Sequence, residues 1–237
     1  MLEFRNIRKN YGDQQILCGV SMKIESGIKV IIGINGSGKT TLLKIVAGII
    51  SSDGGKVLID GRDVTNLPPE ERRLGYVPQH PALFNHLTAW DNIIYASRNG
   101  RGSAETGRHM VEMLGLQNIL TRKPLELSGG YRSRVSLARS LSSDPDVMLL
   151  DEPLSDIDAS TKEKLWPEFR RTLKNNGIPS IYVTHDLHEA ELIGDTFAAM
   201  VKGQVVNVRS AAEAFKTIKD SYLNEMVLSG IAALNIN

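Results

Sequence analysis

The chain has one cysteine, Cys18, in 237 residues. A single thiol excludes an internal disulfide, leaves no room for a zinc site and fits a reducing compartment. Cys18 itself reads as a small buried hydrophobe. No apolar run approaches the roughly 20 residues needed to cross a bilayer, and the N-terminus lacks the apolar core of a signal peptide. Work at a membrane would have to be done by binding something that spans it. Charge of one sign is missing too: 28 basic and 27 acidic residues leave a formal net charge of +1. That balance gives no electrostatic footprint for nucleic acid or an anionic membrane surface, so no nucleic-acid partner is expected. There are no internal repeats and no low-complexity segments. What remains is an ordinary globular composition, 41% hydrophobic and 23% charged, long enough for one large domain or two small ones.

What is present is chemically specific. Gly33-Ile34-Asn35-Gly36-Ser37-Gly38-Lys39-Thr40 fits the phosphate-binding pattern G-x-x-x-x-G-K-[ST] without a mismatch. The apolar run Ile28 to Ile32 predicts a strand leading in, and Thr41 to Ala47 a helix leading out. Such a loop turns several backbone N–H groups toward one anion, and the helix N-terminus adds partial positive charge. Lys39 would reach the β- and γ-phosphates, and the Thr40 hydroxyl would ligate Mg²⁺.

Around this loop the pattern alternates. Leu2 to Ile7 and Val20 to Ile24 read as short strands separated by a turn at Asn10-Tyr11-Gly12-Asp13. Lys56 to Asp60 is another strand, and Pro68 to Arg73 a loop entering a short helix. From about His80 to Glu126 the pattern is helical, with loops rich in Gly and Asn, as in a helical subdomain inserted into an α/β core. Strands at Val147–Leu150 and Ser180–Thr184 alternate with helices at Ser160–Asn176 (with a kink expected at Pro167) and Leu187–Ile193. A hairpin is expected about Lys202-Gly203, and Ala211 to Asn237 has helical spacing.

Two further constellations carry chemistry. Val147-Met148-Leu149-Leu150-Asp151-Glu152 would deliver carboxylates to the carboxyl edge of a parallel sheet, where ligands bind in open α/β folds. Asp151 would hold Mg²⁺ through water, and Glu152 would act on an attacking water as general base or by positioning it. Leu127-Ser128-Gly129-Gly130-Tyr131-Arg132 opens a helix expected over Arg132 to Leu141 and reads either as a second anion site or as an ordinary N-cap by Ser128. A second anion site makes sense if it serves a nucleotide held by another subunit.

These motifs together resemble the ATP-binding cassette (ABC) ATPases over roughly residues 1–210. The phosphate loop, the Ser128-Gly129-Gly130 signature and the strand ending in Asp151-Glu152 carry the resemblance. Tyr76-Val77-Pro78-Gln79 looks like the glutamine loop, Leu154-Ser155-Asp156-Ile157-Asp158 like the loop after the catalytic acid, and Tyr182-Val183-Thr184-His185-Asp186 like the switch-histidine strand end. The resemblance implies an α/β P-loop NTPase fold with an N-terminal antiparallel β subdomain and an inserted helical subdomain. Across 1–237 it implies one domain: a catalytic core over 1–79 and 143–210, a helical subdomain over 80–142, and a helical tail over 211–237. It also implies a head-to-tail dimer of two copies sandwiching two ATPs with Mg²⁺. Tyr11 would stack on adenine. Gly33, Asn35, Gly36, Ser37, Gly38, Lys39, Thr40 and Thr41 would bind phosphate. Thr40, Gln79 and Asp151 would hold the metal, and Glu152, His185 and Gln79 would be catalytic. Ser128, Gly129, Gly130 and Asp158 would act on the partner's nucleotide.

The chain departs from the family where Leu-Ser-Gly-Gly-Gln-Arg-Gln-Arg becomes Leu-Ser-Gly-Gly-Tyr-Arg-Ser-Arg, at Tyr131 and Ser133, and where Asp156 replaces the commoner alanine. Pro78 to Ile93 and Asp63 to Glu70 look like the importer branch serving molybdate, tungstate, sulfate, polyamine, iron and thiamine. The compact form is most similar to the molybdate/tungstate ATPases. A permease spanning the membrane, an extracytoplasmic solute-binding protein and a peripheral place on the cytoplasmic membrane face follow from that resemblance. Leu83 and Phe84 would floor the groove that receives the permease, or pack the subdomain core. Many branch members append a regulatory domain, and ending at Asn237 leaves none expected. Two other readings are a nucleic-acid or ribosome ATPase, disfavoured by the lack of long insertions, and an ATP-switched binding module, disfavoured by Glu152 and His185.

Overall fold

The computed structural model is described for residues 1–175 and 177–234, and its side chains for residues 1–174 and 177–223. The expected helix end at Asn176 and the last three residues of the tail lie outside the described residues.

Strands β1 (Leu2–Tyr11) and β2 (Gln14–Ile24) form an antiparallel hairpin. Both are longer than their apolar alternation indicates. Register shifts between Phe4 and Ile7, Ile7 and Arg8, and Lys9 and Asn10 break the two-residue period, so the polar middle of β1 does not read as strand. β4 (Gly54–Ile59) pairs with β1, and β5 (Arg62–Asp63) with β4, giving the sheet order β2-β1-β4-β5. The second sheet comprises β3 (Ile28–Ile32), β6 (Leu74–Val77), β7 (Val147–Asp151), β8 (Ser180–Thr184), β9 (Thr196–Val201) and β10 (Gln204–Val208). Its order is β10-β9-β3-β8-β7-β6, parallel except for β10. β7 and β8 are buried at every residue, as strands covered on both faces must be. β6 escaped sequence reading because it is only four residues long at the edge of the sheet.

Helix α1 (Lys39–Val46) lies between the sheets, where Leu42, Leu43 and Val46 share one apolar cluster with Phe4, Leu17, Ile31, Leu149 and Val183. Its C-terminus is closed by the buried Arg72, whose guanidinium donates to Ile45 O and Val46 O at 2.9 Å. The same group donates to Thr65 O (2.7 Å) and Leu67 O (2.9 Å). A cation on the last carbonyls of a helix also opposes its dipole. In the sequence Arg72 looked like one more charge in a loop.

Between β6 and β7 the chain is helical: α2 (Ala89–Ile93), α3 (Tyr95–Arg98), α4 (Ala104–Met113) and α5 (Gly129–Leu141). α6 (Ala159–Asn175), α7 (Leu187–Ile193) and α8 (Ala211–Leu234) follow. α6 is continuous through the exposed Pro167. The apolar cluster on this side joins Val135 and Leu141 of α5 to Phe169 of α6, Ile193 of α7 and Met148 of β7. Cys18 corrects the expectation of burial. It is only half-buried: it lies on the face of β2 opposite the core residue Leu17, partly covered by the β9–β10 turn, with Cys18 N donating to Gly203 O at 2.8 Å and Sγ to Lys202 O at 3.4 Å.

Candidate functional site

Four adjacent parallel strands, in the order β3-β8-β7-β6, deliver their carboxyl ends to one edge of the sheet. At or just beyond those ends lie, in that order, the Gly33–Thr40 loop, His185, Asp151-Glu152 and Gln79. Four separated sequence motifs therefore meet on one rim, where open α/β sheets bind ligands.

The loop is shaped by backbone geometry. Gly38 caps α1 in the left-handed region (φ 104°), which a side chain would strain. Gly33 has no room for a Cβ, which would collide with Ser37 Oγ and the Met200 carbonyl. Lys39 is buried, and its Nζ donates to Gly33 O (2.7 Å) and Ile34 O (2.9 Å). Ser37 Oγ is buried against Gly33 without a hydrogen-bond partner among the described residues, and Ser37, expected to bind phosphate, does not line the cavity beside Lys39. A cavity of about 330 Å³ is lined by Asn35, Gly36, Gly38, Lys39, Thr40, Thr41, Gln79, Glu152 and Ile16. Ile16 was missed in the sequence, where nothing separates it from any strand residue.

Glu152 follows the end of β7 with φ at 48°, a conformation costing about 1 kcal/mol for a residue with a side chain. It is held there by its N–H, which donates to Val183 O at 3.0 Å. Its Oε1 lies 3.1 Å from His185 Nδ1, and its Oε2 accepts from Gln79 Nε2 at 3.3 Å. The three expected catalytic side chains thus converge on one carboxylate. Asp151 is buried, hydrogen-bonded to Thr40, and approached by the Tyr76 hydroxyl at 3.5 Å. Burial raises the Asp151 carboxyl above the usual carboxylate range, opposed by the Thr40 bond. Burial likewise lowers the Lys39 ammonium below its ordinary value, against the pull of Glu152 and Asp151.

The remaining expected residues lie elsewhere. Tyr11 is 53% exposed at the end of β1, with Lys9 Nζ 5.6 Å from its ring centre, and the cavity wall on the hairpin side is Ile16. Ser128 caps α5 and accepts from Tyr131 N at 3.5 Å, so the helix starts at Gly129, three residues earlier than the sequence indicates. Ser128, Gly129 and Gly130 do not line the Lys39 cavity. The Tyr131 ring stacks on Arg134 (4.3 Å to the guanidinium carbon) along its own helix. Asp156 packs on this helix start and accepts from Ser133 Oγ at 3.4 Å, so two of the departures meet each other. Asp158 Oδ1 accepts from Thr161 N (3.0 Å) and Ser160 Oγ (2.8 Å), and bonds from the Thr161 and Ser160 side chains, with the Thr161 N–H, hold its carboxyl down at about 2. Leu83 packs against the core, whereas Phe84 faces outward beside Tyr95, ring centres 4.5 Å apart.

A profile of the ABC transporter family matches residues 17–155. The chain is 39% identical to the molybdate/tungstate import ATP-binding protein WtpC of Pyrococcus horikoshii, over 98% of this chain and 70% of that protein. The chain belongs to the ABC transporter family. It is an ABC ATPase, and its Gly33–Thr40 loop, Asp151-Glu152 and His185 lie on one sheet edge. It is also 39% identical to the sulfate/thiosulfate import ATP-binding protein CysA of Nocardia farcinica, over 99% of this chain and 72% of that protein. Among solved structures it is similar to a bacterial ABC transporter cassette solved as a dimer (TM-score 0.79, 27% identity, covering 89% of this chain and 100% of that one). A second structure of that cassette, equally similar, is a post-hydrolysis state bound to ADP and Pi. Among the described residues no helix is long and apolar enough to cross a membrane.

Proposed function

We propose that this chain is the ATP-hydrolysing subunit of an importer for a small oxyanion of the molybdate, tungstate or sulfate class. The observation that carries the catalytic part is the convergence of Gln79 and His185 on Glu152, beside the cavity floored by Lys39 and Thr40. ATP phosphates fit the loop's backbone N–H groups and the Lys39 ammonium. Thr40, Asp151 and Gln79 supply the hydroxyl, carboxylate and amide oxygens that suit Mg²⁺, a hard cation that keeps phosphate and water ligands. Bound there, Mg²⁺ would neutralise charge on the β- and γ-phosphates. Glu152 then takes the proton of an attacking water or fixes its position, and His185 holds that water and the γ-phosphate in line.

The signature Ser128-Gly129-Gly130 serves the nucleotide of a second copy in a head-to-tail dimer, with Asp158 acting across the seam. Support comes from its helix N-terminus, which lies outside the chain's own phosphate cavity, and from the dimeric cassette of the same fold. We read residues 80–142 as the helical subdomain. Its outward Phe84 and Tyr95, with Arg139 5.2 Å from the Phe84 ring, offer an aromatic surface for the permease. The chain would sit peripherally on the cytoplasmic membrane face, with a solute-binding protein outside. Tyr11 would close on adenine from the hairpin.

The test is ATP turnover with Mg²⁺ by the purified chain, alone and as Glu152→Gln. The variant should lose about 10²–10⁴-fold in kcat and accumulate as an ATP-bound dimer on size exclusion. Wild-type turnover in the variant would remove Glu152 from the chemistry. For the solute, tungstate and sulfate uptake should compete in vesicles bearing the copurified permease. Competition by polyamine or thiamine instead would overturn the oxyanion assignment.

A further inference from the structure

Beneath the corner that carries His185 lies a buried carboxylate with no contact to the nucleotide cavity. Glu189, in the first turn of α7, is 5% exposed. Its Oε1 accepts from the Tyr182 hydroxyl at 2.5 Å and its Oε2 from the Thr184 hydroxyl at 2.6 Å. Tyr182 and Thr184 are two apart on β8, so both project to the face that α7 covers. Thr184 Oγ1 in turn accepts from the Asp186 N–H at 3.1 Å, and Asp186 Oδ1 accepts from the Glu189 N–H at 3.0 Å. These bonds form a closed ring: Glu189 to Thr184, Thr184 to Asp186, Asp186 back to Glu189. The residues on either side of His185 are members of it, while the His185 ring is exposed and meets Glu152 Oε1 at 3.1 Å.

Burying a carboxylate is costly, and hydroxyl donors and a helix N-terminus offset that cost only when their geometry is fixed. An apolar residue would pack this corner without that demand. The carboxylate instead accepts two short bonds at the end of a strand locked in register on both sides, Ile32 opposite Thr184 and Asp151 opposite Val183. The same strand end holds the Glu152 backbone through Val183 O. Any slack at Thr184 therefore moves His185 relative to Glu152.

We propose that Glu189 is a positioning residue for ATP hydrolysis: through Thr184 and Asp186 its carboxylate sets the backbone corner from which His185 reaches Glu152 and the γ-phosphate. The proposal rests on the assignment of Glu152 and His185 to hydrolysis.

The experiment measures ATP turnover, KM for ATP and melting temperature of the full chain. The variants are Thr184→Val, Glu189→Gln and Glu189→Leu, each alone and combined with His185→Ala, the combinations followed by single-turnover assay with labelled ATP. Thr184→Val removes the bridging hydroxyl at nearly constant volume, so it carries the test if Glu189→Leu fails to fold. Thr184→Val should lower kcat about tenfold or more, with KM within about twofold because the phosphate loop is untouched. Glu189→Gln, which keeps an acceptor, should lose less than Glu189→Leu. In the His185→Ala background these changes should cost nothing further, because they act through the missing ring. Additive losses in that background would show a general structural role and overturn the proposal. Unchanged kcat in Thr184→Val with native melting would overturn it too. Wild-type turnover in His185→Ala or Glu152→Gln would instead remove the assignment beneath the proposal, and the proposal with it.

Discussion

The chain contains two helix N-termini that sequence reading offered as phosphate sites, and the structure treats them differently. At α1 the Gly33–Thr40 loop is walled by Glu152, Gln79 and Ile16, floored by the buried Lys39, and encloses a cavity of about 330 Å³. At α5 the Ser128 hydroxyl accepts from Tyr131 N, Tyr131 lies back over Arg134, and Asp156 packs on the helix start. The first end is enclosed by residues from three other segments, Ile16, Gln79 and Glu152. At the second, the residue that packs on the helix start is Asp156, and Ser128, Gly129 and Gly130 do not line the Lys39 cavity. A helix dipole is common to both; what separates them is which other strands end nearby. β6, β7 and β8 end at the same sheet edge as the loop before α1.

That contrast can be broken experimentally. Lys39→Ala should have the largest effect, abolishing detectable ATP binding by equilibrium dialysis, because it removes the cation buried in the loop. Ser128→Ala should leave monomer binding of ATP unchanged while lowering turnover at least about tenfold through weaker dimer closure. Loss of monomer binding in Ser128→Ala would mean that α5 serves its own chain's nucleotide.

A further change sharpens the electrostatic side. Because the folded-state pKa of Asp151 is raised, its folded form binds a proton more tightly than the unfolded chain does. At neutral pH its charge is therefore a destabilising feature, relieved as pH falls through the raised value. Asp151→Asn should abolish Mg²⁺-dependent turnover yet raise the melting temperature by a few degrees. A lowered melting temperature would show that the carboxylate supports the fold.

The smallest effect concerns Asp158, whose carboxyl is held down at about 2 by Thr161 and Ser160. A depressed pKa contributes stability that is present above the unfolded value, near 3.9, and lost as pH falls toward about 2. Asp158→Asn should melt slightly below wild type at pH 7, with the gap closing between about pH 4 and 2. A gap that persists at pH 2 would exclude the charge as its source.

Much of this was legible in the residues. The phosphate loop and the strand ending in Asp151-Glu152 could be placed because a short buried strand and a glycine-rich turn leave local signatures. The convergence of Gln79 and His185 on Glu152 was accessible only through family resemblance, since it depends on strand order. What stayed hidden depends on contacts between distant segments. Arg72 closes α1 from a charged loop. Ile16 walls the cavity from an irregular hairpin. Cys18 misled because it faces away from the core that Leu17 enters and only the β9–β10 turn covers it in part. The left-handed backbone of Glu152 likewise follows from its bond to Val183, a residue 31 positions away.

The central claim, that α5 completes the nucleotide site of another copy, is tested most directly by mixing two inactive variants. Lys39→Ala lacks a working phosphate loop and keeps its signature; Ser128→Arg lacks the signature and keeps its loop. In a head-to-tail dimer the mixed pair rebuilds one complete site, so an equimolar mixture should recover about a quarter of wild-type turnover. Turnover that stays at the level of either variant alone, with heterodimers verified by mass, would contradict the shared-site account.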